Sequence, residues 1–347
     1  MERSFHGKSF PQGSRSVLSL LFILLFLLLP TPLLPAESLE EAAKREGKVM
    51  FYTTIPVPYT QMLTNAFQKK YPSIKAEYYR AGDNQLLGRI HTEKQMGQTH
   101  ADVIGSPGVW ANVYKKQGLL GKYISPEAQF IPQGFKDPEG FWTANYTAYY
   151  AFIYNTKMVA KKDVPKNYES LLNPAWKGKI GLSSNEVDWF MGMLDFLGEK
   201  NGIQFMKHLG AQHPVLRNGR TLTATLLMAG EYPLALSVVH TTREQQKKGA
   251  SIDIMSLPTP TLAGIRLIGV HANAPHPNAA RLFVDFILSK EGQGIFNSIS
   301  YHPVRADVEL GDPVAAEIRR NLFPIRPRDA DVVERYKHEF DKIFNKR

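Results

Sequence analysis

The chain has 347 residues, 43% hydrophobic and 21% charged, a globular composition long enough for a large core and two domains. It holds no cysteine, which excludes disulfides, thiolate metal sites and cysteine nucleophiles together. The net charge of +10 suits an acidic ligand or simple solubility. Its cations are scattered rather than striped between aromatics, which argues against nucleic acid as a partner.

The first segment, residues 1–36, reads as a cleavable signal peptide. Arg3, Lys8 and Arg15 form a basic leader, and the apolar run Val17 to Leu29 is too short to span a bilayer comfortably. Cleavage is expected near Ala36, and with no cysteine to carry a lipid, the product is expected to be soluble in the periplasm.

Beyond it, "KVMFYTTI" reads as a buried strand, "YTQMLTNAFQKKY" as a helix and "SIKAEYYRA" as a second strand. "DNQLLGRIHTEKQMG" reads as a helix capped by Asp83 or Asn84 and stopped by Gly97. "ADVIGSPG" is a third strand and "VWANVYKKQG" a helix, so the order predicts a mainly parallel sheet covered by helices. Thr143 to Tyr154 then reads as a long strand leaving this first lobe. A second lobe follows: the strand of "WKGKIGLS", helices through "DWFMGMLDFLGEKNGIQFMKHLGA", and the strand "YPLALSVV". "ASIDIMSLPTPT" leads back, "LAGIRLIGVHA" is a further strand, and "HPNAARLFVDFILSKEGQGIFN" a helix pair with Leu282, Phe283, Phe286 and Ile287 facing the core. A charged amphipathic helix near Val332 to Phe344 ends the chain. The predicted division is lobe I from 37–142 and 258–302, lobe II from 143–257, and a C-terminal helical segment, 303–347, packed on the lobes.

No His-Glu-x-x-His, phosphate loop or Gly-x-Ser-x-Gly elbow is present, and the histidines lack metal spacing. What the strand ends offer is polar groups: Thr53 and Thr54 after the first strand, and Ser106 after the third. The second lobe supplies "SSNEVDWF", "LRNGRT" and "VVHTT" in corresponding places. In "LRNGRTLTATLLMAGE" a helix is expected to start at Asn218 or Thr221 and to stop at Gly230. Its free amides, with Arg217 and Arg220, would suit a carboxylate or phosphate. The alternative is an ordinary Asn-Gly turn flanked by solvated arginines. Trp189 could stack on a ligand or fill core.

"HPNAARLFVDFILSKEGQ", "IYNTKMV", "LLNPAWKGKIGLS" and "MAGEYPLAL" resemble periplasmic solute-binding proteins of ABC importers, in particular the group that includes ferric-iron-binding proteins. The resemblance runs from Lys48 to about Val308. It implies an α/β, two-lobed type II periplasmic-binding fold, hinged closure over a ligand, and delivery to a membrane permease. Iron-binding members carry adjacent tyrosines after the strand matching "YPLALSVV", where this chain has His240, Thr241 and Thr242. Tyr149 and Tyr150 are adjacent, but on a strand they face opposite ways.

The expectation is therefore a monomeric, non-enzymatic substrate-binding component for a small anionic or zwitterionic organic solute, without cofactor or bound metal. Its candidate ligand-binding residues are Thr53, Thr54, Ser106, Asn185, Glu186, Arg217, Asn218, Arg220, His240 and Thr241. Two alternatives stand beside it: ferric-ion binding through other ligands, and a secreted enzyme using Glu186, Asp188 and His240.

Overall fold

The protein is seen in a computed structural model that describes Gly7, residues 37–255 and residues 260–345. The signal-peptide reading of 1–36 and the return through Pro258 lie outside the described residues. No described helix is long and apolar enough to cross a membrane.

The chain alternates as expected: α1 (Leu39–Glu46), β1 (Lys48–Thr53), α2 (Val57–Lys70), β2 (Lys75–Arg80), α3 (Asp83–Gln95), β3 (Val103–Pro107) and α4 (Ala111–Lys116). β1 pairs in parallel with β2 and β3. The next strand, β4 (Thr143–Asn155), is buried at every position. Then come β5 (Ile180–Ser183), α5 (Val187–Leu197), α6 (Glu199–Ala211), β6 (Val215–Arg217), α7 (Arg220–Ala229), β7 (Leu234–Val238), α8 (Val239–Lys247) and β8 (Ile252–Ile254). β5 pairs in parallel with β6 and β7. β9 (Thr261–Val270) is followed by α9 (Pro277–Leu288), α10 (Lys290–Ser298), β10 (His302–Pro303), α11 (Pro313–Arg319), β11 (Leu322–Pro324) and α12 (Ala330–Phe344).

The strand order is β2-β1-β3-β9-β4-β7-β5-β6, with β8 and β10 on β4 and β11 on β9. Two parallel half-sheets are thus joined through antiparallel β9 and β4. Each half has its own core. Phe51, Phe67, Phe283 and Phe286 centre the first, with Phe67 edge-on to Phe283 at 5.0 Å. Trp189, Phe190, Phe205 and Phe340 centre the second, where Phe190 meets Phe340 edge-on at 5.8 Å.

Two local expectations are corrected. α3 is capped by Gly82, which leaves Asp83 as the first helical residue, with no side-chain cap. α7 is capped by Gly219 at φ +92°, a conformation that neither Asn218 nor Thr221 adopts as readily, and only its stop at Gly230 is as expected. The sequence reading left "VLR", Val215–Arg217, unassigned; it is a short strand on β5. Sequence reading also left unassigned α1, α11 and the short strands β10 and β11, all of which lack a long hydrophobic period.

His302 is 2% exposed and its ring stacks flat on Tyr149 at 4.0 Å. Burial, helped by nearby Arg319 and Arg243, lowers its pKa to about 3. Unfolded histidine protonates near pH 6.5, so below that value the unfolded chain binds more protons and stability falls as pH drops toward 3. His302 should account for a loss of up to about 2 kcal/mol between pH 6.5 and 5. Urea unfolding at pH 7 and pH 5 measures this, and His302→Gln should flatten the difference; an unchanged difference would assign it to other groups.

Candidate functional site

The carboxyl ends of parallel strands, where open α/β sheets bind ligands, carry the residues the sequence singled out. They do not all turn to one place. Thr53 is fully buried and its Oγ1 accepts from the Ile55 amide at 3.1 Å, closing the turn after β1. Ser106 accepts from the Tyr114 hydroxyl at 3.1 Å. Thr54 and Thr241 are half-buried. Asn185 and Asn218 are exposed and bond each other, Nδ2 to Oδ1 at 3.3 Å.

The two arginines around Asn218-Gly219 part company. Arg217 ends β6 and pairs with Glu231 at 3.2 Å. Arg220 opens α7 and grips Glu186, its Nε lying 2.7 and 2.9 Å from the two carboxylate oxygens and its Nη2 2.8 Å from one of them. The same Nη2 donates to the Tyr150 hydroxyl at 2.6 Å, and the guanidinium lies 4.7 Å from the Tyr150 ring centre. Glu186 caps α5 by position and is wholly buried. Burial pushes its carboxyl up while Arg220 pulls it back. The pair therefore stitches the N-termini of α5 and α7 together, and Nη1 of Arg220 has no hydrogen-bond partner among the described residues.

Trp189 is fully buried, edge-on to Phe152 at 5.9 Å, and belongs to the core. Tyr149 and Tyr150 do face opposite ways, one onto His302 and the other onto Arg220. His240 lies in the first turn of α8 rather than in a loop, 9% exposed, with its ring 4.3 Å from Tyr301. Its Nδ1 has no partner among the described residues. Burial, reinforced by His302, Arg266 and Arg220, drives its pKa well below the ordinary value, so the ring is neutral.

Sequence reasoning missed the centre of this cluster, Arg266. It sits midway along β9, in register with Pro107 on β3 and Tyr146 on β4. The register of β4 shifts at Asn145, whose carbonyl accepts from Gln293 at 2.7 Å; such a bulge re-aims the neighbouring side chains. Arg266 is half-buried and has no hydrogen bond or ion pair with any described residue. Its field reaches Tyr146, Tyr150, Arg220 and Asp83. Asp83 feels Arg266, Asp188, Arg220 and Arg80. Asp83 is exposed at the start of α3, and partial loss of solvent raises its carboxyl above the usual range while Arg266 opposes the shift. Asp83 on α3, Arg266 on β9 and Arg220 on α7 thus act on one another from elements of both halves. The available signal was one charge inside an apolar strand, "LAGIRLIGV".

A concavity of about 750 Å³ lies elsewhere, among Tyr154, Lys161, Lys166, Arg243 and Arg320. It shares no lining residue with the cluster. Among the described residues no group of three or more histidines and carboxylates has metal-binding geometry.

Residues 100–322 match the family described as bacterial extracellular solute-binding protein. The chain belongs to that family. A putative 2-aminoethylphosphonate-binding periplasmic protein of Salmonella typhimurium is 25% identical over 266 residues, 73% of this chain and 76% of that one. The iron-bound HitA of Pseudomonas aeruginosa shares the fold, with a TM-score of 0.72 at 20% identity over 84% of this chain and 99% of its own. So does AfuA of Actinobacillus pleuropneumoniae with fructose-6-phosphate bound, at 0.69 and 22% identity over 86% and 99%. The fold is thus the two-lobed type II periplasmic-binding fold, with hinge and interlobe cleft. This solute-binding protein is the periplasmic substrate-binding component of an ABC transporter, delivering its ligand to a permease. Members of the family are transport proteins rather than enzymes.

The two arginines should differ sharply on removal. Arg220→Ala strands Glu186 at a position closed to water, and should cost about 3 kcal/mol in urea unfolding at neutral pH. Arg217→Ala removes a partly exposed pair and should cost under about 1 kcal/mol. Equal costs would refute the stitching role of Arg220.

Proposed function

We propose that the cleft binds a small organic solute with an acidic group, and favours one that also carries an amino group. The acidic group pairs with Arg266, assisted by Nη1 of Arg220 and the free amides that open α7. One observation carries this reading: Arg266 is a half-buried guanidinium without a partner among the described residues, and an unpaired charge in such a place is costly unless a ligand completes it. With Arg220 neutralised by Glu186, the remaining field sets Arg266 and Arg80 against Asp83 and Asp188. That balance suits a zwitterion better than a bare dianion. The name of the Salmonella typhimurium relative, which specifies an aminophosphonate, supports the same chemistry.

The site on this reading comprises Arg266, Arg220, His240, Asp83 and Asp188, with Thr54, Thr241, Asn185 and Asn218 at the rim. Glu186, Thr53 and Ser106 support it from behind, and Arg217 serves the fold. Neutral His240 offers one nitrogen to donate and one to accept. The lobe division 37–142 with 258–302, and 143–257, places the cleft at the β4–β9 junction. The protein acts as a monomer, without catalysis and without nucleic acid, after export by a cleavable signal peptide.

Ferric binding is the competing reading, and the start of α8 weighs against it. A hard ferric ion prefers phenolate or carboxylate, and that turn offers His240, Thr241 and Thr242. Native mass spectrometry of what co-purifies, with calorimetric titration of 2-aminoethylphosphonate, ethylphosphonate and ferric citrate, separates the readings. Arg266→Gln should weaken aminophosphonate binding about 100-fold, the worth of a charged bidentate contact, without lowering the melting temperature of the free protein. Undiminished affinity, or a visible charge-transfer band with iron, would overturn the assignment.

A further inference from the structure

Asp329 precedes α12 at the position where an aspartate caps a helix best. Its backbone is extended as a cap requires, at φ −70° and ψ 155°, yet its side chain makes no capping bond. The carboxylate reaches sideways instead. Oδ1 accepts from Asn112 Nδ2 at 3.2 Å, and Oδ2 lies 2.6 Å from Lys116 Nζ. Asn112 and Lys116 belong to α4, whose Ala111 and Tyr114 are part of the first core. α12 is seated in the second core through Val333, Phe340 and Phe344. The adjacent Arg328 is tied to Asp195 on α5, also on the second-core side. Asp329 thus joins the two halves of the molecule outside the ligand cleft, at the cost of leaving its own helix uncapped.

The halves are drawn together in this arrangement. Lys247 of α8 donates to the Ser300 hydroxyl just beyond α10 at 2.8 Å, and the ring of His240, also on α8, lies 4.3 Å from Tyr301 of the first core. A concavity of about 480 Å³ beside Asn112, Asp195, Arg328 and Asp329 gives the side chain room to swing.

We infer that Asp329 is a two-position latch: with the lobes closed it bridges to Asn112 and Lys116, and with the lobes open it turns back to cap α12. The two bonding states are of similar worth, since an exposed ion pair and a helix cap both contribute modestly. Breaking one contact is thus offset by making the other, so the hinge moves without a large barrier of lost interactions. Separation of the lobes and protection of the first turn of α12 are coupled through one carboxylate.

The test needs no ligand. Hydrogen exchange at Asp331 and Val332, the amides a cap would satisfy, is measured in the full chain alongside the interlobe distance. Because the chain has no cysteine, spin labels at Met62→Cys and Leu222→Cys, both exposed, report that distance. The double variant Asn112→Ala, Lys116→Ala should slow exchange at those amides about two- to thirtyfold and shift the distance distribution longer. Asp329→Ser, which caps but cannot bridge, should do the same. Asp329→Ala should lengthen the distance without slowing exchange. Unchanged distances in all three variants, or exchange that does not slow when Asn112 and Lys116 are removed, would overturn the latch.

Discussion

The antiparallel pairing of β4 with β9 is the constraint on which the rest of this molecule depends. Thr143 to Tyr149 pair with β9, while Tyr150 to Tyr154 pair with β7. One strand therefore belongs to both half-sheets, and every position along it is buried. Because its faces alternate, Tyr149 and Tyr150 serve opposite sides of the junction. The irregularity at Asn145 then sets Tyr146 opposite Arg266. A charge is held in the middle of the protein because the strands around it are over-determined by two cores.

The electrostatics of the cleft follow from that placement. Glu186 and Arg220 satisfy one another and fix two helix starts. Arg266 is left with no partner among the described residues, and its field reaches phenols, a neutral imidazole and Asp83. On the proposed reading, helix ends, the Arg266 guanidinium and the carboxylates of Asp83 and Asp188 make a surface whose poles are separate. On the same reading, such a surface rewards ligands with separated charges and gives little to uniformly charged ones.

Much of the fold was legible because its signals are periodic. The apolar spacing of Leu282, Phe283, Phe286 and Ile287 foretold a buried helix face, and all four are buried. The long aromatic run from Thr143 foretold the crossing strand. Boundaries were less legible. Gly82 and Gly219 took cap positions expected of Asp83, Asn84, Asn218 or Thr221, because backbone geometry there outweighed side-chain preference. Short elements such as β10 and β11 draw their stability from pairing with distant strands, which no local pattern records.

The sequence by itself determined the alternation of strands and helices, the two-lobed class and the polar character of the strand ends. These depend on hydrophobic period and turn chemistry, which are local. Only the tertiary structure decided what each polar residue does. Arg217 and Arg220 stand three positions apart, yet one meets Glu231 and the other Glu186. Trp189 went to the core, and Arg266, hidden in an apolar run, went to the cleft. Side-chain direction at a strand end or helix start depends on pairing register, and register is fixed by residues far away in the chain.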